Sequence, residues 1–265
     1  MEKVVFADLW QGKLAEFALK SFDDFFDYGV KERININTKR DVSILTLGQG
    51  AGEKVFFMKR FHRPHYKDML FTVCNFGRLC SQAAVEWKNA NLLFENGVDT
   101  YRPVCYGEQF KWGLERKSFF VTEKLREQCF TDFVAENWTQ LGQVEKEKTI
   151  VSIAKLVRKV HDTKISLPDL YVWHLFISRT EAGEYEFAVI DLHRMRHNVT
   201  NKNEQIKNLG RLMHSMRDKY FDEAMRRLLI ESYAGADWPG GVAKLIWQVK
   251  KQSQRISAKR TPKLY

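Results

Sequence analysis

The stretch that decides the fold is Phe187-Ala-Val-Ile-Asp-Leu-His-Arg194, an apolar strand that ends in Asp191. A carboxylate at the end of a buried strand is a frequent position for a ligand of a metal ion or of a metal-bound phosphate. A second carboxylate, Asp169, lies 22 residues earlier in Leu167-Pro-Asp-Leu-Tyr-Val-Trp-His174, where Asp after Pro marks a rigid turn. Each carboxylate alone is also explained as an ordinary turn or strand-end residue, but the pair indicates a site.

A β-hairpin is predicted between these two carboxylates. Apolar runs at residues 172–177 and 186–190 flank a polar turn at residues 179–184. The hairpin would bring Asp169 and Asp191 together, and His174 would lie where the loop enters the first strand.

The spacing of apolar residues changes along the chain. Strand-like segments and one helix, with an apolar stripe that ends at Gly97, precede residue 124, and helical spacing dominates after it. We therefore predict an α+β fold of two lobes, with a β-rich lobe at 1–124, a mostly helical lobe at 125–265 and a hinge near residues 123–125. The predicted strands are 42–47, 55–61, 104–110 and 118–122, the first-lobe helix carries Ala83, Trp87, Ala90 and Phe94, and the later helices carry Ile150 to Val160 and Ile206 to Met216.

A lysine ends one of these strands, Val55-Phe-Phe-Met-Lys59. A buried ammonium without a partner is costly, and the one predicted helix of this lobe offers Glu86 at the margin of its apolar face. A strand Lys paired with a helix Glu is the arrangement with which protein kinases hold the α and β phosphates of ATP. An exposed edge-strand Lys and a solvated Glu explain the same letters, so the pair needs the two carboxylates beside it.

Composition narrows the class of protein. The 265 residues carry 43 Lys and Arg against 33 Asp and Glu, a net charge of +10, which favours anionic partners such as nucleic acid, an anionic membrane surface or a phosphorylated substrate. No apolar run exceeds four residues, far short of the roughly 20 that cross a bilayer. No secretory signal is recognisable at the start, and the four cysteines include no C-x-x-C pair, so we expect a cytoplasmic chain with free thiols. The basic stretch 244–263 reads either as a solvated amphipathic helix with a basic tail or as an element that binds a polyanion.

The run Asp169-x-Tyr-x-x-His174, with Val189-Ile-Asp-Leu-His-Arg194 after it and Pro103-Val-Cys-Tyr-Gly-Glu108 before it, resembles the lipopolysaccharide core heptose and Kdo kinases. The resemblance extends from about residue 45 to about residue 212. It implies a protein-kinase-like fold and the ATP-dependent phosphorylation of an inner-core sugar hydroxyl of lipopolysaccharide. It also implies a peripheral position at the cytoplasmic face of the inner membrane, with the core glycolipid and the anionic membrane surface as partners and ATP and Mg²⁺ as cofactors.

The resemblance also assigns roles to individual residues. Asp169 would be the base near the sugar hydroxyl, and Asp191 would bind Mg²⁺. The remaining candidates bind the nucleotide or the acceptor. Lys59 would hold the α and β phosphates, Glu86 would orient Lys59, the backbone from Glu123 to Leu125 would bind adenine, His174 would contact phosphate or orient Asp169, and Arg194 and Arg196 would contact the acceptor.

The sequence departs from the family pattern in two places. Leu167-Pro168 stands where the family usually has His-Arg before the catalytic Asp. The segment expected to cover the nucleotide, residues 35–41, has no glycine, so we expect Gly48, Gly50 and Gly52 to form the next turn.

Three other readings of the sequence follow. The two departures motivate a pseudokinase that binds nucleotide or a partner without catalysis. A small-molecule phosphotransferase of the same fold is disfavoured, because acceptors such as aminoglycosides or choline are cationic and the net charge is +10. A nucleic-acid binder is last, because the aromatic residues follow core periodicity and form no basic-aromatic platform.

Overall fold

The computed structural model describes residues 1–29, 32–36, 38–48, 50–64, 66–235 and 238–265. The chain forms two compact units. The first contains residues 1–92 and 101–125, and the second contains residues 93–100 and 126–265.

The first unit contains an antiparallel sheet of six strands in its described part. The strand order is β1-β5-β6-β4-β3-β2. The four strands expected from the sequence are present as β3 to β6, whereas the first strand, at the edge of the sheet beside β5, was not expected. The bounds are β1 Glu2–Phe6, β2 Glu32–Ile36, β3 Arg40–Leu47, β4 Lys54–Phe61, β5 Pro103–Lys111 and β6 Leu114–Glu123.

Helices accompany this sheet. The expected helix is present as α4 (Gln82–Glu95), but the prediction of a single helix in this region was wrong, because α1 (Trp10–Ala15), α2 (Phe22–Phe26) and α3 (Tyr66–Phe76) are also present. The ring of Phe25 on α2 stacks on that of Phe119 on β6 with centroids 4.8 Å apart, so α2 closes the core of this unit. Short or β-branched segments of this kind carry too little helical period to be recognised from sequence.

The glycines before the Lys59 strand form the expected turn. They join β3 to β4, and Gly50–Gly52 is a 3₁₀ turn closed by a hydrogen bond from the Glu53 N–H to the Gly50 carbonyl (3.0 Å). Gln49 in this turn lies outside the described residues, as does Asn37 in the segment 35–41.

The second unit is mostly helical. A three-stranded sheet of order β7-β8-β9 lies within its described part. The expected helices with apolar faces at 150–160 and 206–216 are α6 and α7. The bounds are β7 Gln128–Cys129, α5 Phe130–Asn137, α6 Gln143–Asp162, β8 Leu175–Arg179, β9 Tyr185–Val189, α7 Lys202–Ser215, α8 Glu223–Ala234 and α9 Val242–Ser257.

The predicted hairpin is present as β8 and β9, but its first strand is shorter than expected. Residues Val172–His174 form a 3₁₀ turn, and the strand begins at Leu175. The Val172 N–H donates to the Ser215 hydroxyl (2.9 Å) rather than to a strand neighbour, so the loop keeps its turn geometry up to His174.

Helix α7 lies close to α9. A Cβ on Gly210 would come within 2.6 Å of the Gln252 side chain, so glycine permits this approach. Helix α9 covers most of the stretch 244–263 that was expected to be an amphipathic helix, with Leu245 and Val249 buried.

Residues 93–100 contact the second unit through the end of β9. The Val189 N–H donates to the Asp99 carbonyl (3.0 Å), and the Thr100 hydroxyl donates to the Val189 carbonyl (2.5 Å). These bonds explain why a segment numbered within 1–124 packs with the second unit; the change of unit at Leu125 lies within the expected hinge. In the described residues, each helix is either too short or too polar to cross a membrane.

Candidate active site

The first unit pairs Lys59 with Glu86. The Lys59 ammonium on β4 donates to Oε1 of Glu86 on α4, and the Tyr101 hydroxyl donates to Oε2 of the same carboxylate (3.0 Å). Glu86 is 2% exposed, so this carboxylate is held by two donors in a buried setting. The structure thus brings together the lysine and the glutamate that the sequence singled out, and it fixes the direction of the Lys59 ammonium.

The helix that carries Glu86 is fastened at its first turn by a buried carboxylate. Both oxygens of Glu115 on β6 accept from the Gln82 N–H at 3.1 Å, and the Ser118 hydroxyl donates to Oε1 of Glu115 (2.6 Å). A negative charge at a helix N-terminus is favourable. Burial nevertheless dominates and raises the pKa of Glu115 to about 7, with nearby Glu108 adding to the rise and the hydrogen bonds opposing it.

This carboxyl predicts a pH dependence of stability. Its pKa is about 4.5 in the unfolded chain and about 7 in the folded chain. Between these values the folded state binds more protons, so the free energy of unfolding falls as pH rises, by roughly 3 kcal/mol in all. We expect Glu115→Gln to remove this loss, as measured by urea unfolding from pH 4.5 to 8.

Glu95→Gln, an exposed site at the other end of the same helix, is the matched control and should keep the wild-type slope. If Glu115→Gln and Glu95→Gln have the same pH dependence, then Glu115 is not the group that titrates.

The expected hinge begins where β6 ends. The Glu123 N–H donates to the Arg102 carbonyl (3.0 Å), and the Lys124 N–H points to the Val55 carbonyl (3.4 Å). Leu125 is half-buried and is the last residue of the first unit.

In the second unit, His174 links the two carboxylates of the catalytic loop. Its Nδ1 donates to the Asp169 carbonyl (2.7 Å), so the proton is on Nδ1 because a carbonyl oxygen can only accept. The lone pair on Nε2 is then directed toward Oδ2 of Asp191, 3.8 Å away. Burial lowers the pKa of His174, while Asp191 opposes that shift. The imidazole is therefore neutral at physiological pH and positions the Asp169 backbone.

Asp191 has an unusual backbone conformation. Its φ is +63°, which an L residue other than Gly, Asn or Asp seldom adopts. The Ile190 N–H donates to the His174 carbonyl (3.0 Å), and Nδ1 of His193 lies 2.9 Å from Oδ1 of Asp191. Strain held by surrounding bonds is typical of functional positions.

Asp169 has one oxygen paired and one waiting. Nη1 of Arg194 lies 3.8 Å from Oδ1 of Asp169. Within the described part of the chain, no group lies at hydrogen-bond distance from Oδ2, although that atom is buried. A buried carboxylate oxygen without a donor is rare and is explained where an absent ligand donates to it.

The two candidate arginines differ in their surroundings. Arg194 is 61% exposed and close to Asp169, as expected for an acceptor contact. The Arg196 guanidinium lies 3.7 Å from Glu204 on α7, while its backbone N–H and carbonyl both bond to Ser166 at 3.0 Å. Arg196 thus fastens the start of the catalytic loop, and the structure does not bring its side chain to Asp169.

The catalytic loop has a support that sequence reasoning missed. Oδ1 of Asn208, on α7, accepts from the Leu167 N–H (2.8 Å), from the Ser166 hydroxyl (3.1 Å) and from Nε2 of His161 (3.1 Å). Burial lowers the pKa of His161 to about 4, so this histidine is neutral, and its Nδ1 accepts from the Tyr233 hydroxyl (2.8 Å). The only signal in the sequence is a polar residue beside the apolar stripe of α7.

The residues of the second unit fit a magnesium ion. Mg²⁺ is usually bound by one or two carboxylates together with substrate phosphates and water. Asp191 supplies such a carboxylate on a strained, fixed backbone, with His174 as a neutral neighbour rather than a competing cation. An imidazole is a poor ligand for Mg²⁺, so the donor set favours His174 as a positioning residue.

A strand lysine paired to a helix glutamate, followed by a loop aspartate and a strand-end aspartate, defines a kinase of protein-kinase-like fold. The chain belongs to the lipopolysaccharide kinase (Kdo/WaaP) family, whose model matches residues 37–233. The family expected from the sequence is therefore confirmed, and the protein is a phosphotransferase.

Individual relatives agree. The chain is 26% identical over 197 residues to the lipopolysaccharide core heptose(I) kinase WaaP of Escherichia coli, covering 72% of this chain and 70% of that protein. It is 26% identical over 189 residues to the enzyme of the same name from Pseudomonas aeruginosa, covering 64% and 70%. A solved structure of WaaP in complex with acyl carrier protein superposes with a TM-score of 0.72 at 18% identity, covering 96% of this chain and 99% of that one. This likeness confirms the expected fold.

Proposed function

We propose that the protein transfers the γ-phosphoryl group of ATP to a hydroxyl of heptose or Kdo in the inner core of lipopolysaccharide. Membership of the kinase family and the names of the relatives support the reaction class and the acceptor. The observation that carries the proposal is the buried, unpartnered Oδ2 of Asp169. A sugar hydroxyl is a donor of the kind that this oxygen lacks.

The residues divide the work between positioning and proton transfer. Lys59, held by Glu86, would neutralise the α and β phosphates, and the backbone at Glu123 and Leu125 would bind adenine. Asp169 would accept the proton of the attacking hydroxyl, and His174 fixes the backbone that presents Asp169. When bound, ATP with Mg²⁺ supplies the phosphoryl group and the charge that offsets its transfer, with Asp191 as the protein ligand.

Catalysis is favoured over a pseudokinase because of Asn208. The pseudokinase reading rests on Leu167 and Pro168, which remove two polar side chains that usually brace the loop. In this chain the three hydrogen bonds to Asn208 brace the same loop from α7. The basic net charge of +10 favours an acidic glycolipid over the cationic acceptors of small-molecule phosphotransferases.

We further propose that the protein acts as a peripheral protein at the cytoplasmic face of the inner membrane. Its net charge of +10 suits an anionic lipid surface, where a Lys or Arg contributes about 1 kcal/mol. An acyl carrier protein is a candidate partner, on the strength of the solved complex of the structural neighbour.

A thermal-shift titration tests the nucleotide site. We expect ATP with Mg²⁺ at 100 times its dissociation constant to stabilise the wild type by about 2.7 kcal/mol, and either ligand alone to do much less. Asp191→Asn should abolish the Mg²⁺-dependent part. The control is Asp218→Asn, because that side chain is 96% exposed and outside the site.

Two outcomes would oppose the proposal. A wild type that does not respond to ATP with Mg²⁺ would contradict the nucleotide site, and an Asp191→Asn protein that responds like Asp218→Asn would remove Asp191 from it. The same titration with purified acyl carrier protein tests that partner.

A further inference from the structure

The segment that follows α9 is anchored beside the catalytic loop. The Tyr265 ring stacks on Tyr220 with centroids 5.8 Å apart, and its hydroxyl donates to the Ser215 carbonyl (2.7 Å). The Arg217 N–H donates to the same hydroxyl (3.2 Å). The hydroxyl of Ser215 in turn accepts from the Val172 N–H of the catalytic loop (2.9 Å). One residue at the end of α7 therefore holds both segments.

This anchor places a lysine on the catalytic loop. Nζ of Lys263 lies 5.1 Å from the centre of the Trp173 ring. Trp173 stacks on Tyr171 at 4.7 Å and is followed directly by His174, which donates to the Asp169 carbonyl. The ammonium of Lys263 is thus held against the loop segment that presents the catalytic base.

The ammonium keeps its charge in this position. Among the residues that the structure describes, no carboxylate lies at ion-pair distance from Lys263, which is exposed. A cation–π contact of this kind contributes about 0.5–1 kcal/mol at an exposed site and leaves the positive charge available. The stretch from Val242 to Tyr265 contains seven Lys and Arg residues and no Asp or Glu, so nothing within the segment neutralises Lys263.

We propose that Lys263 binds an anionic group of the acceptor, next to the hydroxyl that is phosphorylated. The inference rests on the proposed function and deepens it, because it makes acidity of the acceptor a requirement and assigns that requirement to one residue. The anion is a carboxylate of a sugar acid or a phosphate already on the core, since an ammonium binds either as a point charge.

The test compares Lys263→Ala and Lys263→Arg with the wild type. Lys259→Ala is the matched control, because it removes one exposed positive charge at the end of α9. The acceptor is a deacylated inner-core oligosaccharide, used for binding without nucleotide and for phosphate transfer with ATP and Mg²⁺. We expect Lys263→Ala to weaken acceptor binding and raise the acceptor KM by about tenfold, with kcat and the ATP KM unchanged and with Lys263→Arg close to the wild type.

Chemical changes to the acceptor distinguish the two anions. Reduction of its carboxylates after carbodiimide activation removes one source, and cleavage of its phosphates with aqueous hydrogen fluoride removes the other. The treatment that abolishes the difference between the wild type and Lys263→Ala identifies the anion that Lys263 binds.

Several results would overturn the inference. Binding by Lys263→Ala equal to that of Lys259→Ala would do so, as would a change confined to the ATP KM. A rise in kcat would instead make the segment an inhibitory cover. Failure of the proposed function is a separate result, because then the wild type itself transfers no phosphate to the oligosaccharide.

Discussion

Asp169→Asn is expected to lower kcat for phosphate transfer by about 10²- to 10⁴-fold, the contribution typical of a positioned general base. The amide keeps the shape of the side chain but cannot accept the hydroxyl proton as a carboxylate does. The KM for ATP should stay near the wild-type value, because Asp169 is assigned to the acceptor and not to the nucleotide. Steady-state kinetics with a core oligosaccharide measure both constants.

The fold should survive this change. Oδ2 of Asp169 has no hydrogen-bond partner among the described residues, so the protein loses no such bond there. Asp218→Asn again serves as the control for removal of one carboxylate. A kcat for Asp169→Asn that equals the kcat for Asp218→Asn would exclude Asp169 as the base.

Asn208→Leu is expected to have the second large effect. It leaves the Leu167 N–H, the Ser166 hydroxyl and His161 without their common acceptor in a buried setting. Each buried group without a partner costs about 1–3 kcal/mol, so we expect a loss of about 3 kcal/mol or more in the free energy of unfolding. We also expect phosphate transfer to fall, because the same loop carries Asp169.

Asn208→Asp separates this support from simple packing. It keeps Oδ1 as the acceptor for the loop, so it should retain much more activity and stability than Asn208→Leu does. Its carboxylate would also raise the pKa of His161 from about 4. Urea unfolding and phosphate transfer measure the two effects, and Asn203→Leu, at an exposed position on the first turn of the same helix, is the control. If Asn208→Leu behaves like Asn203→Leu, the loop does not depend on Asn208.

Local sequence patterns predicted much of the fold. Strands β3 to β6 and helix α4 follow from alternation, turns and the apolar stripe that ends at Gly97. The Lys59–Glu86 pair also follows, because a buried ammonium requires a partner and only one predicted helix offered a carboxylate. The change of period near residue 124 predicted a β-rich part followed by a helical part.

The features that sequence reasoning missed depend on distant partners. Strand β1 is defined by its pairing with β5, about a hundred residues away in the chain, and β7 is only two residues long. The hydrogen bonds of Asn208 span 41 to 47 residues, and a single polar residue on a helix gives no sign of them. The contact of Lys263 with Trp173 depends on the Tyr265 anchor in the same way.

The account depends most on the chemical fate of the acceptor. The measurement is mass spectrometry and phosphorus NMR of an inner-core oligosaccharide after incubation with the purified protein, ATP and Mg²⁺. We predict one added phosphate ester on a heptose or Kdo hydroxyl, formed by the wild type and almost absent with Asp169→Asn. An unchanged oligosaccharide in the presence of protein that binds ATP would contradict the kinase assignment and favour a nucleotide-binding role without transfer.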